Sequence, residues 1–111
     1  MYKYVLRNSL YLDDELQDYF NEMSKKGWRL DFVSYYYRFV KDEHVYKYQI
    51  DYTPISSEYQ DILKEMGYHE VRNSFDDFRV LENENVDAPD LNTEFVFDKN
   101  NKMKQFKKIH F

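Results

Sequence analysis

The chain has 111 residues, 42% of them hydrophobic and 20% aromatic (12 Tyr, 9 Phe, one Trp), with a net charge of −5. That is apolar mass for one domain with a real core and too little chain for two; its aromatic richness excludes a disordered segment, whose composition runs the other way. The absence of cysteine excludes disulfides, thiol catalysis and thiolate metal sites.

No apolar run approaches the roughly 20 residues of a membrane-spanning helix, and the opening MYKYVLRNSLYLDDE has no signal-peptide apolar core. A cytoplasmic location is expected. The charge is unevenly spread. Residues 1–82 hold 16 acids and 11 bases, residues 83–97 four acids and no base, and residues 98–111 five Lys and one Asp. An acidic body argues against nucleic acid as a partner, which needs a basic face to displace counterions.

Tyr2 to Arg7 reads as a first strand. Asp14 is placed to cap a helix, with Gln17 completing a capping box. Leu16, Tyr19, Phe20 and Met23 follow at i, i+3, i+4, i+7, one stripe of that helix, and Lys25, Lys26 and Gly27 suit its C-terminus.

Trp28 to Lys41 reads as one long second strand and His44 to Thr53 as a third, joined by a tight turn at Asp42-Glu43. That turn predicts a register with Phe39 opposite Tyr46, Tyr37 opposite Tyr48 and Tyr35 opposite Ile50 on a core face. The other face would pair Val40 with Val45, Arg38 with Lys47, Tyr36 with Gln49 and Ser34 with Asp51. Trp28, Leu30 and Phe32 have the wrong parity for the core, so a bulge near Val33 or Ser34 is expected.

Pro54 ends this strand, Ser57 is placed to cap a second helix with Gln60 at its capping-box position, and the stripe is Tyr59, Ile62, Leu63 and Met66 before Gly67. Tyr68 then starts a fourth strand, HEVRN, resumed as FRVLE. The helical units align at an offset of 43: DELQDYFNEM (14–23) over SEYQDILKEM (57–66), five of ten residues identical. Two such units predict an α+β, ferredoxin-like β-α-β-β-α-β fold, a four-stranded antiparallel sheet with both helices on one face. Residues 1–82 would be that domain, 83–97 an acidic linker with TEFVF a short strand, and 98–111 a basic amphipathic helical tail with Met103, Phe106 and Ile109 on one side.

No catalytic, cofactor or metal set emerges. His44, His69 and His110 have no ligand-spaced partners, the acid pairs 13–14, 42–43 and 76–77 suit caps and turns, and two glycines that each end a helix leave nothing for a phosphate loop. The site expected is instead a binding surface on the open sheet face, made of Arg38, Asp51, Tyr36, Lys47 and Gln49. A rival is a ligand pocket lined by Tyr37, Tyr48 and Tyr19.

The succession Asn21-Glu22-Met23, Lys26-Gly27-Trp28, an aromatic strand, then Tyr46, Tyr48, Ile50-Asp51-Tyr52 and Gly67 resembles the bacterial family catalogued as domain of unknown function 2812. The resemblance runs over roughly residues 2 to 82, and DKNNKMKQFKKI resembles the family's extension. The second unit departs from it, with Tyr68 where the family carries Trp. Many such relatives continue into transmembrane helices, so the resemblance implies either a soluble member or the cytosolic part of a membrane-associated protein, and it carries no activity. The expectation is a non-catalytic interaction or sensory module that binds a protein partner or a second copy, with the basic tail available to an anionic membrane surface.

Overall fold

Both helices form where their apolar stripes and glycine stops require. The computed structural model describes residues 1–6, 13–54, 56–91, 94–98 and 102–107. Helix α1 spans Asp13–Lys25 and buries Leu16, Phe20 and Met23. It stops at Gly27, whose φ of +92° lies in the left-handed region that a side chain disfavours. Helix α2 spans Ser57–Met66, buries Leu63 and Met66, and ends the same way on Gly67 at φ +87°. Its cap is Ser56 rather than Ser57. Ser56 keeps an extended backbone and its hydroxyl accepts from the Tyr59 amide at 3.2 Å, whereas Ser57 is already helical and so is excluded from the capping position. The Asp14 cap concerns a side chain outside the described residues.

Residues 28–41 are two strands, not one. β2 (Trp28–Val33) and β3 (Tyr36–Lys41) form an antiparallel hairpin turning at Ser34 and Tyr35, and β1 (Tyr2–Leu6) pairs with the other edge of β3. With both edges of β3 used, β4 (Lys47–Asp51) pairs elsewhere, and the expected Asp42-Glu43 hairpin with its register does not form. A bulge is present, but between Leu30 and Phe32. It turns Leu30 and Val33 inward, both essentially buried, and leaves Phe32 facing outward with Tyr36 and Arg38. Trp28 is half-buried against the core, with the ammonium groups of Lys3 and Lys41 5.4 and 5.1 Å from its ring centre.

The expected fourth strand is likewise divided, into β5 (Tyr68–Glu70), β6 (Arg72–Asn73) and β7 (Arg79–Asn83). The class is α+β as expected, but the ferredoxin-like single antiparallel sheet is replaced by two main sheets. The first has order β1-β3-β2-β6, its last pair parallel; the second has order β4-β7-β5 and is antiparallel.

The internal repeat is structural and runs beyond the helices. With β6, which joins the first sheet, set aside, each unit is β-α-β-β with its last strand in the middle. The register repeats too: Lys47↔Asn83, Tyr48↔Glu82, Gln49↔Leu81 and Ile50↔Val80 are Lys3↔Phe39, Tyr4↔Arg38, Val5↔Tyr37 and Leu6↔Tyr36 with every member moved on by 44 residues. Tyr46-Lys47-Tyr48 thereby restates Tyr2-Lys3-Tyr4.

One core joins α1, the inner face of the first sheet (Leu30, Val33, Tyr37, Phe39) and one face of the second (Tyr46, Tyr48, Val80). A smaller one lies between the opposite face of the second sheet and α2, from Leu63, Met66, Tyr68, Leu81 and Ala88. Residues 84–91, read as the start of the acidic linker, lie against that second face: Tyr68 donates to the Pro89 carbonyl at 2.9 Å and Ala88 is buried. The basic tail is not helical where it is described. The EFVF part of that expected strand does form one, β8 (Glu94–Asp98), and pairs antiparallel with β9 (Lys102–Lys107), so backbone groups that a helix would satisfy internally bond across the pair instead. Ile109 lies outside the described residues.

Candidate interaction surface

Strand alternation sorts the first sheet into a buried and an open face. The partners Tyr4↔Arg38 and Leu6↔Tyr36 point away from α1, as does Tyr2 opposite Val40. Tyr2, Tyr4 and Leu6 are 54, 61 and 84% exposed, which is unusual for large apolar side chains in adjacent positions of a sheet. The aromatic rings of this face contact one another: Tyr4 meets Tyr36 edge-on at 5.6 Å and Phe32 meets Tyr36 at 6.0 Å.

Two guanidinium groups lie across this aromatic floor. Arg38 sits 5.0 Å from the Tyr2 ring centre and 5.6 Å from that of Phe32, and Arg72 lies 5.7 Å from Phe32 on the other side. Arg38 also donates through Nε to Asp31 at 2.7 Å, the bond that raises its already high pKa and holds its charge in place. β1 is the end strand of its sheet, so the patch is bordered by a strand edge that no other described strand pairs with.

Of the five residues expected to make one binding surface, the structure brings only Arg38 and Tyr36 together here. Lys47, Gln49 and Asp51 lie on the α2 face of the second sheet, where they hold structure. Lys47 pairs with Asp90 at 2.5 Å and donates to the Ala88 carbonyl at 2.6 Å; Gln49 binds Asp90 and the Leu91 amide. Asp51, nearly buried, accepts from Arg79 at 3.0 Å, Tyr59 at 2.9 Å and the Thr53 amide at 3.1 Å. Burial acts to raise the Asp51 pKa, but those hydrogen bonds to the ionised form prevail and hold it below the usual carboxylate range. Burial first, and then the same pairing with Asp51, pushes the Tyr59 hydroxyl up to about 12.

The tyrosines of the rival pocket are core. Tyr37 and Tyr48 are buried, and Phe20 fills the space among them, its ring centre 5.1 Å from Tyr37 and 6.2 Å from Tyr48, with Tyr19 6.5 Å from Tyr37. Among the described residues, clefts lie elsewhere: they include one of about 410 Å³ along residues 70–79, lined by Phe75 and Phe78, and one of about 670 Å³ between Asn21 on α1 and Tyr46 just before β4. Among the described residues no cluster of three or more His, Asp or Glu could hold a metal ion.

Sequence reasoning missed the polar joint between the units. Glu82, on β7 and buried, accepts from Arg29 of β2 through both carboxylate oxygens at 2.8 and 3.1 Å, from the Tyr48 hydroxyl at 2.7 Å, and lies 2.7 Å from His69 Nε2. The Glu82 bond drives the Arg29 pKa further up, and burial beside Glu82 raises that of Tyr48. It missed also the amide side chains of α1. Asn21 donates to the Tyr48 carbonyl and accepts from the Tyr48 amide at 2.8 Å, Gln17 accepts from the Ile50 amide at 2.9 Å, and Ser24 from the Tyr46 amide at 2.7 Å. The signal available was the second Tyr-Lys-Tyr, which marks Tyr46 and Tyr48 as the start of a new unit.

Among the described residues no helix is long and apolar enough to cross a membrane. No curated protein and no solved structure matches the chain. One family does, over residues 13–110, a span that takes in both helices, the polar joint and the β8-β9 pair: the chain belongs to the family described as "Protein of unknown function (DUF2812)".

Proposed function

We propose that this protein is a non-catalytic interaction or sensory module that captures a protein partner on the outer face of its first sheet. The observation that supports it is the patch of Tyr2, Tyr4, Leu6, Phe32 and Tyr36 with Arg38 and Arg72 laid across the rings. Tyr and Arg are the residues that dominate binding energy at protein interfaces, because each combines a large contact area with directed polar groups. The cysteine-free composition fits a reducing, cytoplasmic setting, and the five lysines of residues 98–111 fit a place close to an anionic membrane surface.

The test is site-specific photo-crosslinking in cells, with a benzophenone amino acid at Tyr36 and, as control, at Glu58 on the exposed side of α2. A defined partner trapped from position 36 and lost in an Arg38→Glu background supports the reading. Equal trapping from both positions, or none from position 36, refutes it.

A further inference from the structure

The two units share a strand register but differ in what covers them. The counterparts of the second unit's Tyr46, Tyr48, Ile50, Val80 and Glu82 are the first unit's Tyr2, Tyr4, Leu6, Tyr36 and Arg38. The first set is turned into the core, with Tyr48 and Val80 wholly buried; the second faces outward. The cover over the second unit's edge is a helix. Gln17, Asn21 and Ser24, at i, i+4 and i+7 on one side of α1, bond the free edge of β4 at Ile50 and Tyr48 and its continuation at Tyr46, while Phe20 between them meets the Tyr48 ring. Because the register is the same, the edge amides of β1 that match these belong to Leu6, Tyr4 and Tyr2, and among the described residues nothing bonds to them.

Resting on the reading of this face as an interaction surface, we propose that the β1 edge receives an amphipathic helix of a partner protein in the manner in which β4 receives α1. The repeat specifies its chemistry. The helix carries amide or hydroxyl side chains at i, i+4 and i+7 to satisfy the edge groups of Leu6, Tyr4 and Tyr2 in turn, and an aromatic or large apolar residue at i+3 to lie on Tyr4 and Tyr36. One position inverts. Where Glu82 receives the guanidinium of Arg29 in the second unit, the first unit has Arg38, so the partner brings a carboxylate to it, alongside Asp31. A basic helix is thereby disfavoured, since Arg38 and Arg72 outnumber Asp31 on this face.

The chain contains the probe. A peptide of residues 13–27, stapled between the exposed positions 18 and 22 so that it is helical alone, is titrated into the isotope-labelled full chain, with backbone amide shifts as the readout. The amides of Tyr2, Tyr4, Leu6 and Tyr36 are expected to move saturably. Peptides with Gln17→Ala or Asn21→Ala are expected to bind at least about tenfold more weakly, the equivalent of about 1.4 kcal/mol, and a Tyr4→Asp chain that melts like the parent is expected not to bind. Absence of movement at millimolar peptide, movement elsewhere, or equal binding by the Asn21→Ala peptide overturns the proposal. So does movement of the same amides with protein concentration alone, which assigns the edge to a second copy. If Tyr36 crosslinks a partner in cells while the peptide fails, the helix falls and the interaction face stands; if both fail, the face itself is refuted.

Discussion

Glu82 is almost wholly enclosed, and its carboxylate is held by the guanidinium of Arg29 from the other repeat unit, Nη2 to Oε1 at 2.8 Å and Nε to Oε2 at 3.1 Å. The pair, joined by Tyr48 and His69, spans the seam between the two sheets, where an ionised group is tolerated only because each of its lone-pair directions meets a donor.

Arg29→Ala leaves that carboxylate buried with only part of its shell. It is expected to lower unfolding free energy by about 3 kcal/mol, the low end for breaking a buried pair because Tyr48 and His69 stay. Arg29→Ala combined with Glu82→Gln is expected to recover part of the loss. Urea denaturation of the two variants checks it; a double variant less stable than the single one would show that the charge is not what matters.

Asn21 makes both a donor and an acceptor bond to the backbone of Tyr48. Asn21→Ala is expected to cost about 1–3 kcal/mol, the range for leaving buried polar groups unmet. It should also speed hydrogen exchange at the Tyr48 amide relative to that of Gln49, which faces β7. Uniform acceleration of both would place the loss in global stability instead.

Both helix-ending glycines hold positive φ, but their surroundings differ. A methyl group at Gly27 would find its nearest neighbour at 3.7 Å, whereas at Gly67 it would lie 3.3 Å from Asn83 Oδ1, whose Nδ2 donates to the Met66 carbonyl. Gly27→Ala is therefore expected to cost about 1–2 kcal/mol from backbone strain alone, and Gly67→Ala more, because Asn83 must also give way. Thermal melts of the two variants, compared side by side, test the order.

The pH dependence has two limbs. Asp51 has a folded pKa depressed below the ordinary 3.8, so its contribution is complete above that value and is lost as pH falls through the lower, folded one; Asp51→Asn is expected to flatten acid unfolding there. Tyr46 and Tyr59 are raised from 10.0 to about 12, by burial first and by their bonds to Asp42 and Asp51. Their contribution is complete below pH 10 and is lost as pH rises toward 12. Absorbance titration should show the ionisation of Tyr46 and Tyr59 delayed and completed cooperatively with unfolding; a single smooth titration near pH 10 contradicts the burial.

What the sequence determined by itself was local: two helices whose stripe, stop and repeat offset are set by side-chain spacing, the glycine joints, and the family. The helices and joints depend on residues within a turn or two of one another, and the repeat and the family on matching such local patterns along the chain. The split of residues 28–41 was hidden because the turn holds no Gly, Pro, Asn or Asp and Ser34 is a weaker turn former than these, and β1 takes the far edge of β3. The separation of Arg38 and Tyr36 from Lys47, Gln49 and Asp51 followed from the same pairing, since a change of partner strand moves a whole set of side chains to another sheet. The joint of Arg29 with Glu82 unites residues 53 apart. Only the tertiary structure could decide which of two equivalent tyrosine faces is closed by a helix and which stays open, because the same Tyr-Lys-Tyr is compatible with either until the neighbouring unit occupies one of them.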